Sequence, residues 1–318
     1  MMHPYRFSPA DAENARTHID PVFLNTPQYI NDGLSQALGS TVVTKVETLN
    51  PIRCFKGRGA DLLVRRAAPG APLVCASAGN FGQAMAYCCQ KRQLPLTVFA
   101  STQANSFKVE RMMALGATVV RAGHDFDDAK SLARQYANDN ELRFVEDSLD
   151  LETLVGAATI GLELLAFQPM PDVVLIPVGN GALFNGIARV MKAVHHSIQM
   201  VAIQAKGAPA MIDSWRQNVA VSYDTVNTIA DGIAVRVPVP QALQDMKGLV
   251  DRALLVEEES ILEGMRLIHQ HGGIVVEPSG AVGVAALLEN RELFRGQTVV
   301  TILCGGNLTS EQQRTWLC

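Results

Sequence analysis

The residue best placed for covalent chemistry is Lys56, set between an aromatic ring and a glycine in the run Asn50-Pro51-Ile52-Arg53-Cys54-Phe55-Lys56-Gly57-Arg58-Gly59-Ala60. An ammonium held against apolar neighbours is easier to deprotonate, and the neutral amine is both a nucleophile and a base. The alternative is a surface lysine whose head snorkels into water beside Arg58. Three further runs combine glycine with asparagine or a hydroxyl: Ser77-Ala78-Gly79-Asn80-Phe81-Gly82, Gly179-Asn180-Gly181-Ala182-Leu183-Phe184-Asn185-Gly186 and Cys304-Gly305-Gly306-Asn307. Small residues let backbone amides turn inward, and a helix starting behind such a turn aims its positive end at the same point. Together they describe an amine facing an anion site.

The elements needed to hold these turns are legible in the hydrophobic pattern. β-type runs over 73–76, 96–100, 118–121 and 143–145 alternate with helical stretches beginning near Asn80, Asn105 and Asp127. The same rhythm returns in strands over 173–178, 200–205, 254–256 and 298–304, with helices over 184–195 and 259–271. Strand and helix in alternation predict an α/β fold with parallel sheets, here as two units in one chain. Each glycine turn follows a strand, at the carboxyl ends where open α/β sheets bind ligands. The least regular stretch is 218–244.

The turn after residue 178 suits a phosphate, but neither a dinucleotide nor a nucleoside triphosphate. Gly179-x-Gly181 to Gly186 has too many residues for G-x-G-x-x-G, and the next strand ends in Gln204 where a ribose-binding acid is needed. Gly181 to Gly186 has P-loop spacing, yet Ile187 and Ala188 occupy the lysine and hydroxyl positions. What remains is a single phosphate held by amides without metal. An amine upstream and a monophosphate site at the crevice suggest a phosphorylated aldehyde bound as a Schiff base, and pyridoxal phosphate is that molecule.

Composition agrees with a small-molecule partner. A net charge of −4, 6% aromatic residues and no basic cluster give no footprint for nucleic acid or a membrane surface. The 318 residues, 48% of them hydrophobic, are enough for two buried cores. The polar start, 1–14, lacks the order of a signal peptide, and no apolar run reaches spanning length. The six cysteines fall at unrelated spacings, which suits a reducing cytoplasm better than disulfides or zinc. The pairs His195-His196 and His269-x-His271 do not converge on one helix face, so they are expected at helix surfaces or ends.

Phe55-Lys56-Gly57-Arg58-Gly59-Ala60, Ser77-Ala78-Gly79-Asn80, Gly179 to Leu183, Ala230-Asp231-Gly232, Glu277-Pro278-Ser279-Gly280 and Cys304-Gly305-Gly306-Asn307 occur in this order. In that order they resemble the serine/threonine dehydratase group of the fold-type II, tryptophan-synthase-β-like pyridoxal phosphate enzymes. The resemblance implies a two-lobed fold, with a large cofactor-binding domain from 1–71 and 150–318 and a small mobile domain from 72–149. It implies that Lys56 forms the Schiff base, Phe55 packs against the pyridine ring and Asn80 bonds the 3-hydroxyl. Gly179, Asn180, Gly181, Ala182 and Leu183 would cradle the phosphate, Gly232 would lie beside the ring, and Cys304 would face the pyridine nitrogen. Ser77 with Ala78, Gly79, Asn80 and Phe81 would receive the substrate carboxylate and side chain.

The departures from the family pattern narrow the expectation. Asn180 and Ala182 replace two of the usual glycines, and Phe81 stands where many relatives have histidine or alanine. Ala78 occupies the place of a racemase's second serine, and Gln204 the place of a metal-binding glutamate. The expected reaction is β-elimination from a β-hydroxy amino acid such as serine or threonine, giving a 2-oxo acid and ammonia, with no metal. A neutral thiol at Cys304 would make the ring a weaker electron sink, which suits elimination over transamination or racemisation. The alternatives are β-replacement or threonine-synthase-like chemistry on the same scaffold, and a cofactor-binding protein without turnover. The expected form is a cytoplasmic homodimer without a C-terminal regulatory domain, the chain ending soon after the Cys304 turn.

Overall fold

The computed structural model describes residues 5–104 and 106–317. Ten strands form two sheets among these residues: β1 Gln28–Ile30, β2 Thr41–Val46, β3 Leu73–Ala76, β4 Leu96–Ala100, β5 Thr118–Arg121, β6 Arg143–Val145, β7 Val173–Pro177, β8 Gln199–Ala205, β9 Arg252–Val256 and β10 Thr298–Leu303. The larger sheet has the order β1-β2-β10-β7-β8-β9 and the smaller β5-β4-β3-β6. In the larger sheet the central strands β2, β10 and β7 are buried almost throughout, as expected for strands covered by helices on both faces. Val299 is in register with Val42 on one side and Val173 on the other. All pairings are parallel except β1 with β2, so the parallel-sheet expectation holds with one antiparallel edge.

The expected strands and helices are present, with ends shifted by one or two residues. The helix foreseen from Asn105 spans Ser106–Ala114, and Asn105 itself lies outside the described residues, as does Cys318. Part of the stretch 218–244 is ordered into a helix, Pro240–Met246, whose proline sits at the first turn where its missing amide costs nothing. The helices Leu151–Leu165 and Pro278–Glu289 were not foreseen. Both are buried on nearly every side, so their sequences show no polar face to set a helical period.

The helix that begins at Lys56 spans Lys56–Arg66 and is pressed against Leu151–Leu165. Two glycines make the approach possible. A Cβ on Gly156 would lie 2.4 Å from the Cα and N of Gly59, closer than any side chain tolerates. Two residues past Lys56, Arg58 is fully buried, against the alternative that it borders a surface lysine. Its guanidinium donates to Glu47 at 2.9 and 2.8 Å, to Glu163 at 2.6 and 3.0 Å, to Thr159 Oγ1 at 2.9 Å and to Thr26 Oγ1 at 3.2 Å. Lys45 pairs with the same Glu163 and donates to the Thr26 carbonyl at 2.8 Å. Two cations and two carboxylates thus close a neutral cluster beneath the start of the helix.

Candidate active site

The carboxyl ends of both sheets open onto one cavity of about 560 Å³. Its lining takes in Phe55 and Lys56, the loop 77–81, the loop 179–183, Gly232 and Cys304, so the structure brings together every residue expected to meet cofactor or substrate. Asp147, Lys108 and Glu277 join them.

Lys56 is the first residue of its helix, and its Nζ lies 4.7 Å from the centroid of the Phe55 ring. Its setting is not simply apolar. The Nζ donates to Asp147 Oδ2 at 2.5 Å, and the second Asp147 oxygen is buried without a partner. The carboxylate arrives from the turn after β6, at the carboxyl end of a strand that the sequence pattern had already placed.

The loop 77–82 is braced from within. Ser77 Oγ accepts from the Gly79 amide at 3.1 Å and the Gly82 amide at 2.9 Å, leaving its O–H to donate into the cavity. Asn80 opens the helix Asn80–Arg92; its Nδ2 donates to Glu277 Oε1 at 2.6 Å, and its Oδ1 accepts from Asn307 Nδ2 at 2.9 Å. Glu277 is buried and also accepts from the Asn307 amide at 3.1 Å. Burial pushes its carboxyl above the usual range, with the Lys108 charge opposing and the Asp231 charge adding. Lys108 in turn pairs with Asp231 across the cavity.

The loop 179–183 leads from β7 into the helix Ala182–Val194. Gly181 sits at φ +94, and a Cβ there would lie 2.9 Å from Asn185 Nδ2, so only glycine fits. Helix geometry leaves the Ala182 and Leu183 amides without intrahelical acceptors, and the Ala182 amide meets Ser148 Oγ at 3.2 Å. Asn180 Oδ1 and Ser279 Oγ are buried on the lining with no partner. A Cβ on Gly232 would stand 2.7 Å from Ser279 Oγ, so that backbone too is a close wall.

Cys304 closes the floor after β10. Burial first, and the Glu277 charge second, push its thiol well above the ordinary range and keep it neutral. Gln204 turns its side chain to backbone, its Oε1 accepting from the Ile212 amide at 3.2 Å and its Nε2 donating to the Ile233 carbonyl at 3.4 Å. Among the described residues no group of three His, Cys, Asp or Glu is arranged to hold a metal ion.

The chain matches the family model described as pyridoxal-phosphate dependent enzyme over residues 19–305. It belongs to that family. The donor set fits the cofactor: an amine at the cavity face, a glycine cradle at a helix N-terminus, unpartnered buried oxygens on Asn180 and Ser279, and a neutral thiol. The L-threonine ammonia-lyase of Thermotoga maritima is 31% identical over 301 residues, covering 94% of this chain and 75% of that one. A threonine deaminase structure from T.th. superposes with a TM-score of 0.89 at 29% identity, covering 95% of this chain and 99% of that one. Maize serine racemase has the same fold, with a TM-score of 0.90 at 24% identity, covering 98% and 97%.

Asp147, Ser148 and Lys108 escaped the sequence reading, and Glu277 and Asp231 were noted only as parts of motifs. Asp147 carried a usable signal, standing two residues beyond an expected strand end. Lys108 carried none, because its approach to Asp231 depends on how the two sheets face one another.

Proposed function

We propose that this chain is a pyridoxal-phosphate dependent ammonia-lyase that eliminates water from serine, threonine or a close β-hydroxy amino acid, the released enamine then taking up water to give a 2-oxo acid and ammonia. When bound, the cofactor supplies an electron sink that makes the Cα proton of an attached amino acid removable. Lys56 Nζ is the base for that proton, since it is the amine at the cavity face on a helix start fixed by the Arg58 cluster. The amides of loop 77–81 and the Ser77 hydroxyl receive the substrate carboxylate, and Phe81 bounds the side-chain space. Loop 179–183 holds the phosphate, and Cys304 meets the ring nitrogen as a neutral thiol. Asn80 serves the 3-hydroxyl while tied to Glu277 and Asn307.

The observation that carries elimination over racemisation is one-sidedness. Lys56 offers an amine to the site, whereas Ala78 on the lining has no group to return a proton from a second side. The names of the similar proteins support the same reading. The 72–149 unit, which contributes Lys108, Asn80 and Asp147, acts as a mobile cover. The enzyme works as a homodimer in the cytoplasm, a compartment suited to Cys54, Cys75, Cys88, Cys89 and Cys304, all buried and unpaired. No helix among the described residues is long and apolar enough to cross a membrane.

An amino-acid panel on the cofactor-loaded protein tests the proposal. Serine or threonine should give 2-oxo acid and ammonia without any added nucleophile, and borohydride should fix the cofactor to Lys56. Product formed only when a thiol is added would move the enzyme to β-replacement.

A further inference from the structure

We infer that Asp147 is a specificity-determining residue whose carboxylate receives the β-substituent of the substrate, favouring a hydroxyl or ammonium there and excluding a carboxylate. This rests on the lyase reading above, because it takes Lys56 as the base at Cα. To remove that proton, Lys56 Nζ must stand beside Cα, and Asp147 Oδ2 is one hydrogen bond beyond that nitrogen. The β-substituent is also only two bonds from Cα. It therefore falls within reach of the same carboxylate.

Two features equip Asp147 for this role. Its Oδ1 is buried with no partner, so it has acceptor capacity to offer. The other lysines on this lining are committed elsewhere, Lys130 to Asp127 at 3.7 Å and Glu146 at 3.6 Å, and Lys108 to Asp231. Once Lys56 turns to the substrate, no second lysine is placed to neutralise Asp147. A β-carboxylate would then meet a like charge at contact distance, where repulsion is strong at the reduced dielectric of a cavity. A β-ammonium would meet an opposite one, and a hydroxyl would donate.

The carboxylate is also held in place. Glu146 donates its amide to Asp150 Oδ2 at 2.7 Å, and the Ser148 amide donates to Thr153 Oγ1 at 3.0 Å. Ser148 itself adopts φ +70, a conformation that a serine keeps only where its surroundings fix it. Asp147 is bracketed by these two anchored residues, so little ordering is needed when a ligand arrives.

The test uses the loaded enzyme and the cofactor's absorbance, which changes when an amino acid attaches. Wild type, Asp147→Asn and Asp147→Ala are titrated with alanine, which has no polar β-group, with aspartate, and with 2,3-diaminopropionate. Wild type should bind aspartate more weakly than alanine. Measured against alanine in the same protein, both variants should bind aspartate at least tenfold more tightly and diaminopropionate at least tenfold more weakly than wild type does. Unchanged aspartate-to-alanine and diaminopropionate-to-alanine ratios in both variants would overturn the inference. The two readings fail separately: no 2-oxo acid from wild type with any amino acid defeats the lyase, whereas product from serine with unshifted ratios defeats only the role of Asp147.

Discussion

Two ion pairs begin on one helical turn and are built for opposite ends. Arg58 is sealed, with its guanidinium satisfied by two carboxylates and two hydroxyls, and Lys45 completes a neutral set. Lys56 faces the cavity with its side chain 17% exposed, and its partner Asp147 keeps one oxygen unused. A buried cluster of this kind is strongly destabilised when one member is removed, whereas a partly solvated pair contributes little to folding. The contrast separates labour along the helix. Arg58 fixes where the helix starts, and Lys56 remains free to exchange one partner for another.

The largest effect should come from the open pair, and it should be chemical. Lys56→Ala is expected to abolish turnover and covalent capture of the cofactor by borohydride, while urea unfolding shifts by less than about 1 kcal/mol. Residual elimination at a tenth of the wild-type rate would remove Lys56 from the role of base. The sealed cluster should respond in the opposite way. Arg58→Met leaves Glu47 and Glu163 with Lys45 alone, and should cost about 3–5 kcal/mol of stability. If denaturant unfolding showed less than about 1 kcal/mol, the cluster would not be what anchors the helix.

Acid should then act on the cluster through Glu163. Burial alone would raise its carboxyl, but the Arg58 hydrogen bond and charge, with Lys45, outweigh it and hold it below the usual range. A folded value below the unfolded one means the stabilisation is present above the ordinary glutamate range, near about 4.3. It is lost as pH falls through the lower folded value. Glu163→Gln should therefore flatten the acid limb of a stability–pH curve, and an equally steep limb would assign the acid sensitivity elsewhere.

What was legible in the sequence follows the same division between local and remote. The glycine turns, Lys56 and the strands β3 to β10 are local patterns of alternation, apolar runs and φ-permissive residues, and each is present as a structural element. The Arg58 cluster was not legible, because it joins Thr26, Lys45, Glu47, Thr159 and Glu163 across as many as 118 residues, and each alone resembles an ordinary polar residue. β2 and the two helices buried on nearly every side were missed for a related reason, as complete burial erases the period that marks a surface element, whereas β1 was missed because three residues are too few to show an alternation. The pair of Lys56 with Asp147 spans 91 residues and brings the turn after β6 to the first residue of the helix Lys56–Arg66.

Cys304 supplies the smallest expected effect and a third kind of wall. It is neither a sealed ion nor an open one: burial, reinforced by the Glu277 charge, keeps its thiol protonated beside the ionic groups of the cavity. Cys304→Ser retains a small neutral donor and should change kcat/KM by no more than a few-fold. Cys304→Asp places a carboxylate near Glu277 and, in the proposed binding mode, against the ring nitrogen, where a charged partner would strengthen the electron sink. It should raise the fraction of substrate lost to transamination or racemisation, measured as recovered D-amino acid and aminated cofactor. An unchanged product distribution would mean that neutrality at Cys304 serves packing alone, and that elimination is favoured instead by the lack of a proton-donating side chain at Ala78.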